Sequence, residues 1–181
     1  MVEKLKEEYN VEVEWRPFYL YWDTPPEGRD LPAYILRARA GGSEERLKSI
    51  ATAYDMDFRS TDRIYNTRLA HGATEYAREH GKANDFHKAL FRRVYAKGQD
   101  PSLWAVLRAT AEEVGLNPDE MQELVQSKRY TEYVEEQVRW AQQIGVSGVP
   151  TYVVNDRYAI VGAQPYEVFK NALTEIMKQN S

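Results

Sequence analysis

Three histidines, pairs of adjacent carboxylates such as Glu112-Glu113 and Glu135-Glu136, and one proline-centred loop are the groups in this sequence whose types could do chemistry. His71, His80 and His87 are nine and seven residues apart and straddle an expected helix break at Gly81. No cysteine or acidic set accompanies them at metal-ligand spacing, so the expectation is no metal site. Glu112-Glu113 and Glu135-Glu136 are neighbours in sequence, and on a helix neighbours point in different directions. They read as a solvated face rather than a general acid and base. The chain has no cysteine at all, which removes thiolate nucleophiles, disulfides and thiolate metal sites from these 181 residues. What remains is Gly145-Val146-Ser147-Gly148-Val149-Pro150-Thr151. Glycines bend the chain into a proline, and β-formers follow. Proline is tolerated at the first residue of a strand but not in its middle. Val149-Pro150 therefore sits where a tight turn becomes sheet, a place that suits a cis X–Pro bond.

The elements that position this loop follow from periodicity. Residues 2–9 have helix formers with Val2, Leu5 and Tyr9 on one face. Val11-Glu12-Val13-Glu14-Trp15-Arg16 alternates with period two and predicts a half-buried strand that Pro17 ends. Pro25, Pro26, Gly28 and Pro32 make residues 22–32 a loop. From Ser43 to Ile144 the period is helical. Ser43 is the expected N-cap of a helix over 44–54, with Leu47, Ile50, Ala51 and Tyr54 on one face. Asn66 or Thr67 caps the next, which Gly81 stops. Asn84 caps a third, Asp100-Pro101 opens a fourth, and Asn117-Pro118-Asp119-Glu120 opens a fifth. The last of the set runs from about 129. Thr151–Asn155 and Tyr158–Val161, joined by a short turn, predict an antiparallel hairpin, and Gly162-Ala163-Gln164-Pro165 leads into a final helix faced by Tyr166, Phe169, Leu173 and Ile176.

Charge and composition exclude several classes. The net charge of −4, with both signs interspersed, lacks the basic excess of a nucleic-acid binder. No apolar run approaches membrane-spanning length, and the first eight residues lack the apolar core of a signal peptide. A cytoplasmic protein is expected, with no nucleic-acid or membrane partner.

Five stretches taken together carry a resemblance. Val13–Phe18, Asn66–His71, Phe86–Phe91, Gly145–Val153 and Gly162–Pro165, in that order, resemble the FrnE-like branch of the DsbA family of thioredoxin-fold oxidoreductases. More distantly the chain is similar to 2-hydroxychromene-2-carboxylate isomerases and kappa-class glutathione transferases. The resemblance implies an α/β, thioredoxin-like (DsbA-type) fold. Residues 1–42 and 145–181 would form the thioredoxin-like part, and 43–144 an inserted helical subdomain. The family's first β-strand and the CxxC segment at the following helix start have no counterpart in this sequence, which joins the pattern midway through that helix. The slot left between the strand at 11–16 and that at 151–155 would expose two edges, and the expected consequence is either a homodimer across it or a local rearrangement of the sheet.

The resemblance further implies that Gly148, Val149, Pro150 and Thr151 form a cis-proline substrate-binding loop, with Val149 offering its N–H and C=O to an extended peptide. Asn66, His71, Ala163 and Gln164 would line a substrate or glutathione groove. The activity implied is dithiol–disulfide exchange on protein or peptide thiols, with glutathione as a further partner and no cofactor. This cysteine-free chain supplies no catalytic residue for that exchange. Two other roles stay open, a glutathione-dependent isomerase or transferase and a non-catalytic peptide-binding module.

Overall fold

The structure, a computed structural model, describes residues 2–53 and 56–179. Tyr54, expected on the face of the 44–54 helix, lies outside the described residues. The chain is helix-rich, with two small antiparallel sheets among the described residues. It clusters into two compact units, one of residues 1–20 with 136–181, the other of residues 21–135.

The larger unit is built on four helices, α4 (Arg68–Glu79), α5 (Ala83–Phe91), α6 (Trp104–Glu113) and α7 (Pro118–Gln126). Their apolar stripes meet in one core, in which Tyr76, Phe86, Leu107 and Met121 are fully buried. Gly72 lets α4 approach α7 closely, because a Cβ there would stand 3.0 Å from a Val125 methyl. Tyr76 donates a hydrogen bond to Glu120 at 2.9 Å, joining the same two helices at their rim.

Helix starts follow local capping with three corrections, the first being Ser43, which is not an N-cap but the last residue of a helical stretch over Arg39–Ser43 that runs straight into the helix at Glu44. Asn117 caps α7 as expected, accepting from the Asp119 and Glu120 amides at 3.0 and 3.2 Å. Asn84 is not the cap of α5. The helix begins at Ala83, the cap position is Lys82, and the Lys82 carbonyl takes the Phe86 N–H. Asp100 does not open α6 either. It accepts from the Ser102 amide and hydroxyl at 2.8 and 2.6 Å, closing a turn that delays the helix until Trp104.

Before this bundle the chain makes features absent from the sequence expectation. Residues 29–30 (β1, Arg29–Asp30) pair with 63–64 (β2, Arg63–Ile64). Gly28 must be glycine, because φ is +75° and a Cβ would lie 2.6 Å from the Ile64 carbonyl oxygen. Arg63 donates to Asp30 and to the Glu27 carbonyl. A short helix α2 (Ala33–Ala38) starts after Pro32, and α3 (Glu44–Ala53) follows across a kink at Gly42. The expected division of the chain falls after 42 and after 144. The β1–β2 pairing, with Asn66 donating to the Thr24 carbonyl and Arg68 to the Trp22 carbonyl, joins residues 21–31 to the segment that enters α4.

The smaller unit holds α1 (Val2–Glu8), the end of α8 (Thr131–Gln143), a hairpin and α9 (Tyr166–Gln179). The hairpin pairs β3 (Thr151–Val154) with β4 (Tyr158–Val161), Thr151 opposite Val161 and Val154 opposite Tyr158. Its turn uses positive φ at Asn155 and Asp156, a geometry these two residue types tolerate. Tyr152, Val154 and Ile160 face Leu5, Phe169 and Leu173. The strand expected at 11–16 does not form. Val11 and Val13 are half-buried and Glu12 and Glu14 exposed, so the alternation is real. No ladder accompanies it. Alternation assigns faces to a chain, but only a hydrogen-bonded neighbour makes it a strand. Arg16 instead pairs with Glu14 at 3.0 Å and lies over the Trp140 ring, 4.4 Å from its centre.

Candidate functional site

The loop between α8 and β3 is shaped from within. α8 ends at Gln143, and Gly145, at φ +84°, turns the chain out of the helix. Residues 148–150 bend, the Val149–Pro150 peptide is cis, and β3 starts at Thr151. Two hydrogen bonds fix the bend. The Thr151 hydroxyl donates to the Gly148 carbonyl at 2.8 Å. The Gly162 amide donates to the Pro150 carbonyl at 2.8 Å, extending the hairpin ladder by one rung. Val149 is left outermost, 54% exposed, and among the described residues no backbone hydrogen bond engages its N–H or C=O.

Beside this loop a shallow cavity of about 120 Å³ lies on the outward face of the hairpin. Ile144, Val146, Val153 and Val161 give it apolar walls, with Thr151 at the loop end and Arg157 at the turn end. The site residues expected from the sequence, Gly148 to Thr151 in this loop, include Thr151 but not the apolar walls. The signal was present, since Val153 and Val161 sit on the hairpin face opposite the Tyr152 and Ile160 side chains.

The other groove residues are placed as follows. Gln164 is occupied locally, its side-chain amide donating to the Val161 carbonyl at 2.9 Å, and Ala163 beside it is exposed. Both lie in the unit that carries the loop. Asn66 and His71 lie in the other unit. The Asn66 amide works at both ends: its nitrogen donates to the Thr24 carbonyl at 2.8 Å and its oxygen accepts from the Arg68 amide at 3.1 Å. This residue holds the first turn of α4 and the preceding loop. His71 is half-buried on α4. Among the described residues no three His, Cys, Asp or Glu side chains gather as a metal site would need. No described helix is long and apolar enough to cross a membrane.

Charge near the loop's unit is concentrated at the junction of α1 and α9. The Tyr166 hydroxyl donates to Glu8, and Lys4 approaches the same carboxylate at 3.5 Å. Desolvation and the Glu8 bond push the Tyr166 hydroxyl up to about 12, and that hydroxyl holds the Glu8 carboxyl below its usual range. Tyr166, Glu8 and Lys4 are structural partners that tie α1 to α9.

Comparison with known proteins fits this architecture. The family described as DSBA-like thioredoxin domain matches residues 1–174. The uncharacterized protein YwbO of Bacillus subtilis (strain 168) is 23% identical over 175 residues, covering 94% of this chain and 84% of that protein. A 2-hydroxychromene-2-carboxylate isomerase structure superposes with a TM-score of 0.79 at 20% identity, over 99% of this chain and 88% of its own. A probable DsbA oxidoreductase from Streptomyces coelicolor superposes with a TM-score of 0.75 at 27% identity, over 92% of this chain and 75% of its own. The inserted helices, the hairpin and the closing helix are thus those of a thioredoxin fold of the DsbA type, and the chain belongs to the DSBA-like thioredoxin domain family.

Proposed function

We propose that this chain provides the substrate-docking surface of a DsbA-like thiol–disulfide oxidoreductase and holds an extended peptide along Gly148-Val149-Pro150-Thr151. The observation that carries this reading is the state of Val149, exposed at the bend with no backbone partner for its N–H or C=O among the described residues. An extended peptide satisfies both groups by adding as a strand, which draws affinity from main-chain bonds and leaves sequence selectivity to neighbouring pockets. The 148–151 turn is held by Thr151 and Gly162, so docking requires little reordering. The family and the Streptomyces coelicolor neighbour supply the thiol–disulfide context. The exchange needs a thiolate attacking a disulfide sulfur, and these 181 residues hold no cysteine to furnish one. Docking is therefore the part of the reaction this chain performs.

Binding of a fluorescent extended peptide with alkylated cysteines tests the reading. Val149→Pro removes the N–H donor at an exposed position. Its loss weakens binding by about 2- to 10-fold, the worth of one net hydrogen bond. Affinity unchanged in a Val149→Pro chain whose circular dichroism matches the parent defeats the proposal. Insulin reduction by this chain alone stays at background in either case. The glutathione alternative has less support, because Asn66 and Gln164 are committed to backbone carbonyls. Calorimetric titration with glutathione is expected to show no saturable heat.

A further inference from the structure

The bond from the Gly162 amide to the Pro150 carbonyl fixes which way the backbone groups of β3 point. Hydrogen-bonded and non-bonded pairs alternate along an antiparallel ladder. With Pro150 bonded to Gly162 and Thr151 opposite Val161, Tyr152 and Val154 bond to β4. Thr151 and Val153 therefore turn their N–H and C=O to the other edge. Among the described residues β3 pairs with β4 alone, and no backbone hydrogen bond covers that edge at Thr151 or Val153. Unpaired groups thus continue past Val149 into the strand. The same two residues point their side chains at the outward face, where the cavity of about 120 Å³ lies. Val153 stands opposite Ala159, whose small side chain leaves room between Ile144, Val146 and Val161. An apolar cavity of about 150 Å³ takes one benzene, so this one suits a single aliphatic side chain. Asp156 and Arg157, at its turn end, carry opposite charges and favour neither sign.

We propose that the peptide held at Val149 continues along β3 as an antiparallel third strand, and that the cavity selects an aliphatic side chain at its residue opposite Val153. The inference rests on the docking reading above and adds the class of substrate it selects. Donors and acceptors that recur at every second residue match another extended chain, not a helix, whose main-chain groups bond within itself. Residues directly opposite each other in an antiparallel pair share a face, so the side chain opposite Val153 lies on the side of the cavity. The chain direction follows. The aliphatic residue precedes, in the peptide, the residue that meets Val149. Substrates are then extended segments with a leucine-like residue on the N-terminal side of the docked position.

Fluorescence anisotropy on the full chain, with labelled cysteine-free peptides of alanine and threonine that carry one leucine or one aspartate, is the test. The leucine peptide should bind about 10-fold tighter, near the lower end for burying such a side chain. Val161→Lys should reverse that preference toward the aspartate peptide. Val161 is 60% exposed, so the circular dichroism of the variant should match the parent. N-methylation of the leucine, and of the residue two places after it, should each weaken binding by about 2- to 10-fold. N-methylation of the residue between them, whose N–H faces away from β3, should not. Equal binding of both peptides to the parent overturns the cavity assignment, and so does a leucine preference that survives Val161→Lys. N-methylation tolerated at both sensitive positions, in a peptide that Val149→Pro still weakens, overturns the third strand and leaves docking at the loop standing. A peptide bound equally by the parent and by Val149→Pro defeats the docking reading and this inference with it.

Discussion

At the scale of single residues, His87 shows how packing sets chemistry. Its ring stacks on Phe91 at 4.2 Å between centroids, and burial holds its pKa below the ordinary 6.5. The folded state therefore takes up its proton at lower pH than the unfolded chain does. Between those two pH values the unfolded state binds more protons, and stability falls as pH falls. The protein is expected to melt at a lower temperature at about pH 5.5 than at about pH 7.5, through a histidine-linked transition. His87→Phe preserves the stack on Phe91 and removes the titration, so its melting temperature should change less over the same interval. A parent and variant with identical pH profiles would show that His87 is not the linked group. Asn66 teaches a related lesson. Its sequence position reads correctly as a helix start, and its oxygen does bond the Arg68 amide. The second bond, to Thr24 forty-two residues earlier, is set by the tertiary fold and leaves no mark in the local sequence.

At the scale of elements, what was legible is what local physics decides. The hairpin was readable because its turn residues and its alternating flanks agree, and the register of β3 on β4 follows from both. The strand expected at 11–16 was not, because the existence of a ladder partner is a fact about another part of the chain. α2 was missed because six residues with Tyr34, Ile35 and Leu36 consecutive show no helical period. Helix starts separate the same way. Three Asn or Asp residues were expected to cap α5, α6 and α7, and only Asn117 presents its side chain to the amides of a first turn while standing outside it. Asn117→Ala should cost about 1 kcal/mol in chemical denaturation. Asn84→Ala, exposed inside the first turn of α5, should change stability by less than about 0.5 kcal/mol. Equal losses at the two positions would restore Asn84 as a cap and contradict the observed start at Ala83.

At the scale of the whole molecule, the chain has two separate cores of unequal size. The helical unit buries Tyr76, Phe86, Leu107 and Met121 among many neighbours, whereas the hairpin unit relies on Leu5, Ile160, Phe169 and Leu173. The family's fold was legible in the order of its motifs, but the imbalance of its two cores was not, since it depends on which faces meet. The imbalance has a measurable result. Phe169 lies edge-on to Tyr152 at 4.7 Å between ring centres, so it joins α9 to the hairpin. Truncating a buried Phe to Ala typically costs about 3–5 kcal/mol. Phe169 is one of four buried residues in its cluster and is not a member of the helical one. Hydrogen exchange on Phe169→Ala should therefore show amides of β3, β4 and α9 exchanging by local opening, with α4 to α7 keeping their protection. Leu107→Ala should do the reverse, lowering protection in the helices first. If Phe169→Ala instead lowers protection equally along the chain, the two units unfold as one, and the 148–151 loop shares the stability of the helical core.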